Sequence, residues 1–233
     1  DEVEMRFTDR CAREEAERAR EEAERARWLE AEARARLQVL VEAGVAMAAS
    51  LEMRSVLAAA TGAAARRVCD YSIAFVSGRD GQIEAEVGAH RDPGRFGMVE
   101  RMATAHLPEL EDANSIVAKV LKSGEPLLIP RVPQEQMEQM MAPGEQLELA
   151  RALGFASVIV VPLAARGRTL GVLGLVRDAS SPPFGEEDLS LAGMLAARTG
   201  LALDNARLYE ERDYVAETLR RSLLPPDLPP IPG

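Results

Sequence analysis

Few residues of this 233-residue chain are of a type that could do chemistry, and their spacing decides against most of it. The two histidines, His90 and His106, and the two cysteines, Cys11 and Cys69, are scattered and fit no metal-ligand spacing. No serine sits in a GxSxG motif, HExxH is absent, and no glycine loop of the phosphate-cradling kind occurs. The acidic pair Glu186-Glu187 resembles a set of acid/base carboxylates. It opens a long helical pattern, however, where negative charge complements the helix dipole. His90, within GAHRDPG, reads as an exposed turn residue. No catalytic residue and no metal site is expected.

Composition narrows the classes further. Hydrophobic residues make up 47%, enough for a folded core. Aromatics are only 4%, too few for a stacking surface for single-stranded nucleic acid. A net charge of −10 opposes attraction to nucleic acid or to anionic lipid. The longest apolar stretch, Phe155 to Ala165, falls short of the roughly 20 residues that cross a bilayer. No signal peptide opens the chain. Two unpaired-looking cysteines and no leader suit a reduced cytoplasm.

These scarce groups must be carried by the following elements. Residues 10–49 begin as a rod of Ala, Arg, Glu and Leu, with AREEAER at 12–18 repeated at 19–25. Small and apolar residues recur through Ala16, Ala23, Leu29 and Leu37 at a mean step of about 3.5, the coiled-coil period. Glu14–Arg18 and Glu21–Arg25 can pair at i,i+4. A single solvated helix is the alternative. Gly44 and Ser50 mark the rod's end, and Ser50 is placed to cap a second helix running to about Val68. SIAFVSG (72–78), Arg79-Asp80-Gly81 and QIEAEVG (82–88) read as a hairpin. Residues 89–113 read as irregular, with Gly94, Gly97 and Pro108. Asn114 or Ser115 caps a helix that ends at Gly124. EPLLIP (125–130) is a short strand, and 133–154 is a methionine-heavy helix broken at Pro143-Gly144. ASVIVVPL (156–163) and TLGVLGLVR (169–177) form a second hairpin across Arg166-Gly167-Arg168. A last helix can run from Glu186 to Leu224, with Leu195, Leu201, Leu208, Val215 and Leu219 along one stripe. Pro225 and Pro226 then stop it. The fold class is α/β (α+β): a mostly antiparallel central sheet, helices around it, and long coiled-coil helices at both ends.

Three segments carry a family resemblance: SLEMRSVLAAATGAAARRVCDYSIAFV, GEPLLIP, and FASVIVVPLAARGRTLGVLGLVRDASSPPFGEEDLSLAGMLAARTGLALDNARLYE. Together they resemble a GAF domain, placed at 50–209. Residues 1–9, from the opening VEMRFTDRCAREEAE, resemble the last strand of a PAS domain running into its exit helix. RSLLPPDLPPIPG, covering the end of a signalling helix (210–224) and a proline-rich linker (225–233), resembles the junction into a SpoIIE-like, metal-dependent serine/threonine phosphatase domain.

The GAF resemblance implies a small-molecule site between one sheet face and the variable helices. Mapped onto this chain, that site takes Phe75, Ile159 and Val161 as floor, and Phe96, Met98, Met102, His106, Met137, Met140 and Met141 as lid. Methionines suit an adaptable pocket, and equally an ordinary core. The residue pattern of the cyclic-nucleotide-binding members is missing. Neither cysteine is placed for a bilin thioether, and only His106 falls where an axial haem ligand would, although it reads as a polar edge residue. An unknown small molecule is therefore the one ligand left for such a site, beside the ligand-free alternative. The linker resemblance implies a phosphatase parent using Mg²⁺ or Mn²⁺ in a domain beyond residue 233, acting on a phosphoserine or phosphothreonine of an anti-anti-sigma-type protein. The chain itself would be a non-catalytic, homodimeric sensor with parallel coiled coils, with no nucleic-acid or membrane partner. Two alternatives stand beside it: the sensor of a histidine kinase or diguanylate cyclase, and a ligand-free dimerisation spacer.

Overall fold

The computed structural model describes residues 2–78, 83–105, 115–141 and 144–223. By contacts the chain divides into two compact units, Asp1–Val41 and Glu42–Gly233. The first unit is helix α1 (Glu2–Ala48) as far as Val41, and the helix's last residues belong to the second. The continuity of α1 corrects two expectations. Residues 2–9 are helical turns rather than a PAS-type strand, and Gly44 does not break the helix. Ala, Glu and Arg carry so little penalty in a helix that one glycine, worth about 1 kcal/mol, is absorbed. Ala23 and Leu37 are exposed, as are all residues from 22 to 27, and Glu30 pairs with Arg34 at 3.0 Å. The side chains of Ala16 and Leu29 lie outside the described set.

The second unit is built on a five-stranded antiparallel sheet in the order β2-β1-β5-β4-β3. The strands are β1 (Tyr71–Ser77), β2 (Ile83–His90), β3 (Leu127–Ile129), β4 (Ser157–Ala165) and β5 (Arg168–Arg177). Both expected hairpins form, and their partners β1 and β5 join them through the middle of the sheet. Arg166 and Gly167 turn β4 into β5 with φ of 49° and 75°, the left-handed pair that suits a two-residue hairpin. The turn at 79–82 lies outside the described residues.

One face of the sheet is covered by α2 (Met53–Arg67) and α7 (Glu186–Leu223). Small residues make this layer tight. Ala60, Ala64, Ala192, Ala196 and Ala206 are all buried, and a Cβ added at Gly200 would run into the Ala164 backbone. Polar groups inside it are satisfied locally: Thr61 and Thr199 donate to Leu57 O and Leu195 O, and Ser72 donates to Thr61 O at 2.8 Å. Ser50 does not cap α2. Its hydroxyl accepts from Glu52 N, and the helix starts later, at Met53.

At the sheet's end, Arg177 ties the layer together. Its guanidinium donates to Val68 O at 2.8 Å and Pro182 O at 3.2 Å, pairs with Asp188 at 2.9 Å and lies 4.1 Å over the Phe184 ring. Asp188 also accepts from Gly185 N, so the acidic run opening α7 is a cap and an anchor.

The other face carries α3 (Phe96–Ala105), α4 (Ile116–Ser123), α5 (Gln134–Met140) and α6 (Glu145–Leu153). The helix α3 replaces part of the expected irregular stretch. Asp92 accepts from Gly94 N, Pro93 starts a single 3-10 turn, and α3 follows. The Ser115 hydroxyl accepts from Ala118 N to cap α4, and Gly124 closes it at φ 69°. The helical stretch at 133–154 is indeed two helices. Asn114, Pro108, Pro143 and the proline strap 225–233 lie outside the described residues.

Candidate functional site

A cavity of about 50 Å³ sits between the sheet and the α3–α6 layer. Alternation sets its floor. Tyr71, Val176 and Val158 stand in one cross-strand row, and Ile73, Gly174 and Val160 in the next. Gly174 leaves the centre of that floor without a side chain; a Cβ there would meet only Ile73 O, at 3.6 Å. Met102, Ser115, Ile116, Val117, Met141 and Phe155 form the walls. The space holds a few waters, well below the 300 Å³ or more typical of a drug-sized ligand site.

Electrostatically the lining is nearly featureless, with two hydroxyls and no charged side chain. Ser115's hydroxyl is engaged in the α4 cap, whereas that of Tyr71 is buried and finds no partner among the described residues. Burial, reinforced by Cys69 and Asp70, holds the Tyr71 phenol protonated far above its ordinary range. The Tyr71 ring stacks on His90, its direct partner across the hairpin, with centroids 6.1 Å apart. His90 accepts from Asp92 N at Nδ1, which places its proton on Nε2. Burial pushes the Cys69 thiol up to about 12, so it is no nucleophile. Asp70, almost fully buried, is held by Arg91 at 2.7 Å, by Asp178 N and by the Ser181 hydroxyl. That is a structural knot. No group of three or more His, Cys, Asp or Glu among the described residues could hold a metal ion.

The expected site is thus only partly assembled. Met102 and Met141 line the cavity. Met137, Met98 and Phe75 belong to the same core without touching the cavity, and Phe96 is 42% exposed and outside it. Ile159 and Val161 are wrong for the floor. They point to the α2/α7 face, one residue out of phase with Val158 and Val160. Met140's side chain and His106 lie outside the described residues. Gly174 was the legible signal overlooked, since a glycine inside a strand marks a place where something approaches closely.

Helix α7 is the second functional element. Leu191, Ala192, Leu195, Ala196, Thr199, Leu203 and Ala206 face the protein. The single stripe expected from the sequence therefore splits in two: Leu195 is inside, while Leu201, Leu208, Val215 and Leu219 are exposed.

This architecture, a sheet with a lidded cavity on one face and long helices on the other, is that of a sensory module. The GAF domain family model matches residues 52–203, and the chain belongs to that family. GAF domains are in general non-catalytic sensory or regulatory modules. The fold is similar to the GAF domain of a phosphoenolpyruvate-protein phosphotransferase from Acinetobacter, at 16% identity and TM-score 0.54, covering 74% of this chain and 94% of that one. It is equally similar to the corresponding Coxiella burnetii domain, at 16% identity and TM-score 0.54, over 76% and 96%. The second GAF domain of DevS from Mycobacterium smegmatis matches at 17% identity and TM-score 0.50, over 69% and 99%. No helix among the described residues is long and apolar enough to cross a membrane.

Proposed function

We propose that this chain is a homodimeric regulatory module that transmits the state of its GAF domain along α7 to an output domain in cis. The carrying observation is that α7 has two apolar faces. One packs on the sheet; the other stays exposed and continues to Leu219, beyond the last buried inward residue, Ala206. Sheet displacement and helix displacement are therefore one event, the small rigid-element shift by which such switches work. Light scattering at tens of micromolar is expected to give twice the chain mass, and a monomer overturns the reading.

The output domain is proposed to be a SpoIIE-like serine/threonine phosphatase, supported by the likeness of RSLLPPDLPPIPG to the linker of that family. Its Mg²⁺ or Mn²⁺ would be held wholly by that domain, and its substrate would be a phosphorylated anti-anti-sigma-type protein. Assay of the chain together with its C-terminal continuation should show Mn²⁺-dependent release of phosphate from such a phosphoprotein. A continuation encoding a kinase or cyclase instead refutes this part alone. The small cavity favours a second reading, in which the domain is a spacer without a ligand. Native mass spectrometry separates the two: a retained small molecule removes the spacer reading.

A further inference from the structure

We infer that Asp70, Arg177 and Ser157 are positioning residues that make the start of α7 follow the floor of the cavity. The inference rests on the reading that α7 carries the state of the domain, and it says where that state enters the helix. The floor includes the row Tyr71, Val176 and Val158, one residue from each of three neighbouring strands. One step further along the same three chain segments stand Asp70, Arg177 and Ser157. None of the three lines the cavity, and alternation turns Arg177 and Ser157 to the opposite face.

All three hold the segment 178–188, which leads from β5 into α7. Asp70, 3% exposed, accepts from Asp178 N at 2.9 Å and from the Ser181 hydroxyl at 3.1 Å. Ser157, 2% exposed, accepts from Phe184 N at 2.9 Å. Arg177 donates to Pro182 O and to both carboxylate oxygens of Asp188, in the first turn of α7. The two rows move together. Asp70 N donates to Val176 O at 3.0 Å, and Ser157 is the direct partner of Arg177 across β4 and β5. A flexible connection would absorb a small displacement. This one is pinned along its length, and Pro182-Pro183 restricts its backbone further. A molecule that pushes Tyr71, Val176 and Val158 away from the lid therefore displaces the first turn of α7.

Amide shifts of the isotope-labelled chain under xenon test this, xenon being a probe that enters apolar cavities. Tyr71, Val176 and Val158 are expected to shift with xenon pressure, and Gly185 to Leu189 with them. Helium at equal pressure is the blank. Arg177→Lys keeps the charge and loses the fork. Asp70→Asn keeps the shape and loses the charge. Each is expected to preserve the floor shifts and to cut those of Gly185 to Leu189 by about threefold or more. Arg207→Gln, which unties the middle of α7 from Glu84, should leave both sets unchanged. Gly174→Val fills the floor from within and supplies the same comparison if xenon does not enter. First-turn shifts that survive both variants overturn the inference, even if the thermal midpoint falls, and leave α7 standing as the transmitter. Floor shifts in the wild type without any along α7 overturn both.

Discussion

The two faces of the sheet are packed on different terms. Against α2 and α7 the leucines and valines are interleaved with alanines, two threonines and one glycine, and the Thr61, Thr199 and Ser72 hydroxyls are each satisfied within the helix or across to it. Against α3–α6 the contact is made by Met102, Met137, Met141 and Phe155 among others, around a hollow and beside a phenol without a partner among the described residues. Small side chains fix two backbones at one distance. Methionines tolerate several. The domain thus joins a stiff coupling to its output helix with a compliant input side, and the asymmetry lies in side-chain choice, since one sheet serves both.

That contrast can be broken by substitution. The largest effect is expected at Leu163→Ala, which opens a void on the stiff face and should cost about 2–5 kcal/mol in urea unfolding. Gly200→Ala comes next. Its methyl meets the Ala164 backbone, so α7 must move outward, at about 1–3 kcal/mol. The same replacement on the other face, Gly174→Ala, makes only an ordinary contact with Ile73 O at 3.6 Å and should be neutral or stabilising by up to about 1 kcal/mol. Equal losses from the two glycine replacements would end the distinction between the faces.

The smallest effect is a pH dependence on the compliant side. Burial, aided by Arg95, outweighs Asp92 and Asp70 and holds the His90 pKa below its ordinary value. The unfolded chain therefore takes up its proton first. His90 carries no penalty above the unfolded value of about 6.5, and the penalty grows as pH falls from there toward its folded value. Thermal midpoints between pH 7 and pH 5 should decline less steeply for His90→Gln than for the wild type. A parallel decline would show that His90 does not lose proton affinity on folding.

Much of this fold is written in short-range signals. Ser115 and Gly124 bracket α4, and Arg166-Gly167 fixes the second hairpin, because each needs only its own backbone geometry. The facing of β4 was not legible. SVIVV is apolar at every position, so the period-two phase has no polar residue to mark it, and only pairing with β5 decides that Val158 and Val160 line the cavity. Residues 92–105 show a third situation. Asp92-Pro93 is a helix-start pair, and Val99, Met102 and Ala103 follow at helical spacing, but Gly94 and Gly97 masked both. Ile159 and Val161 accordingly belong to the α2/α7 face and not to the cavity.

Arg177 gives the stiff face a meaning beyond stability. Its fork grips Asp188 in the first turn of α7 and the carbonyl at the end of α2 together. An α-helix is a screw with about 100° between successive residues. The Asp188 clamp, together with the packing of Leu191 to Ala206, therefore sets the compass bearing of every later residue, out to Val215 and Leu219. Thirty residues on, the outward residues point where the buried half of the helix aims them, as a rudder stock turns the blade.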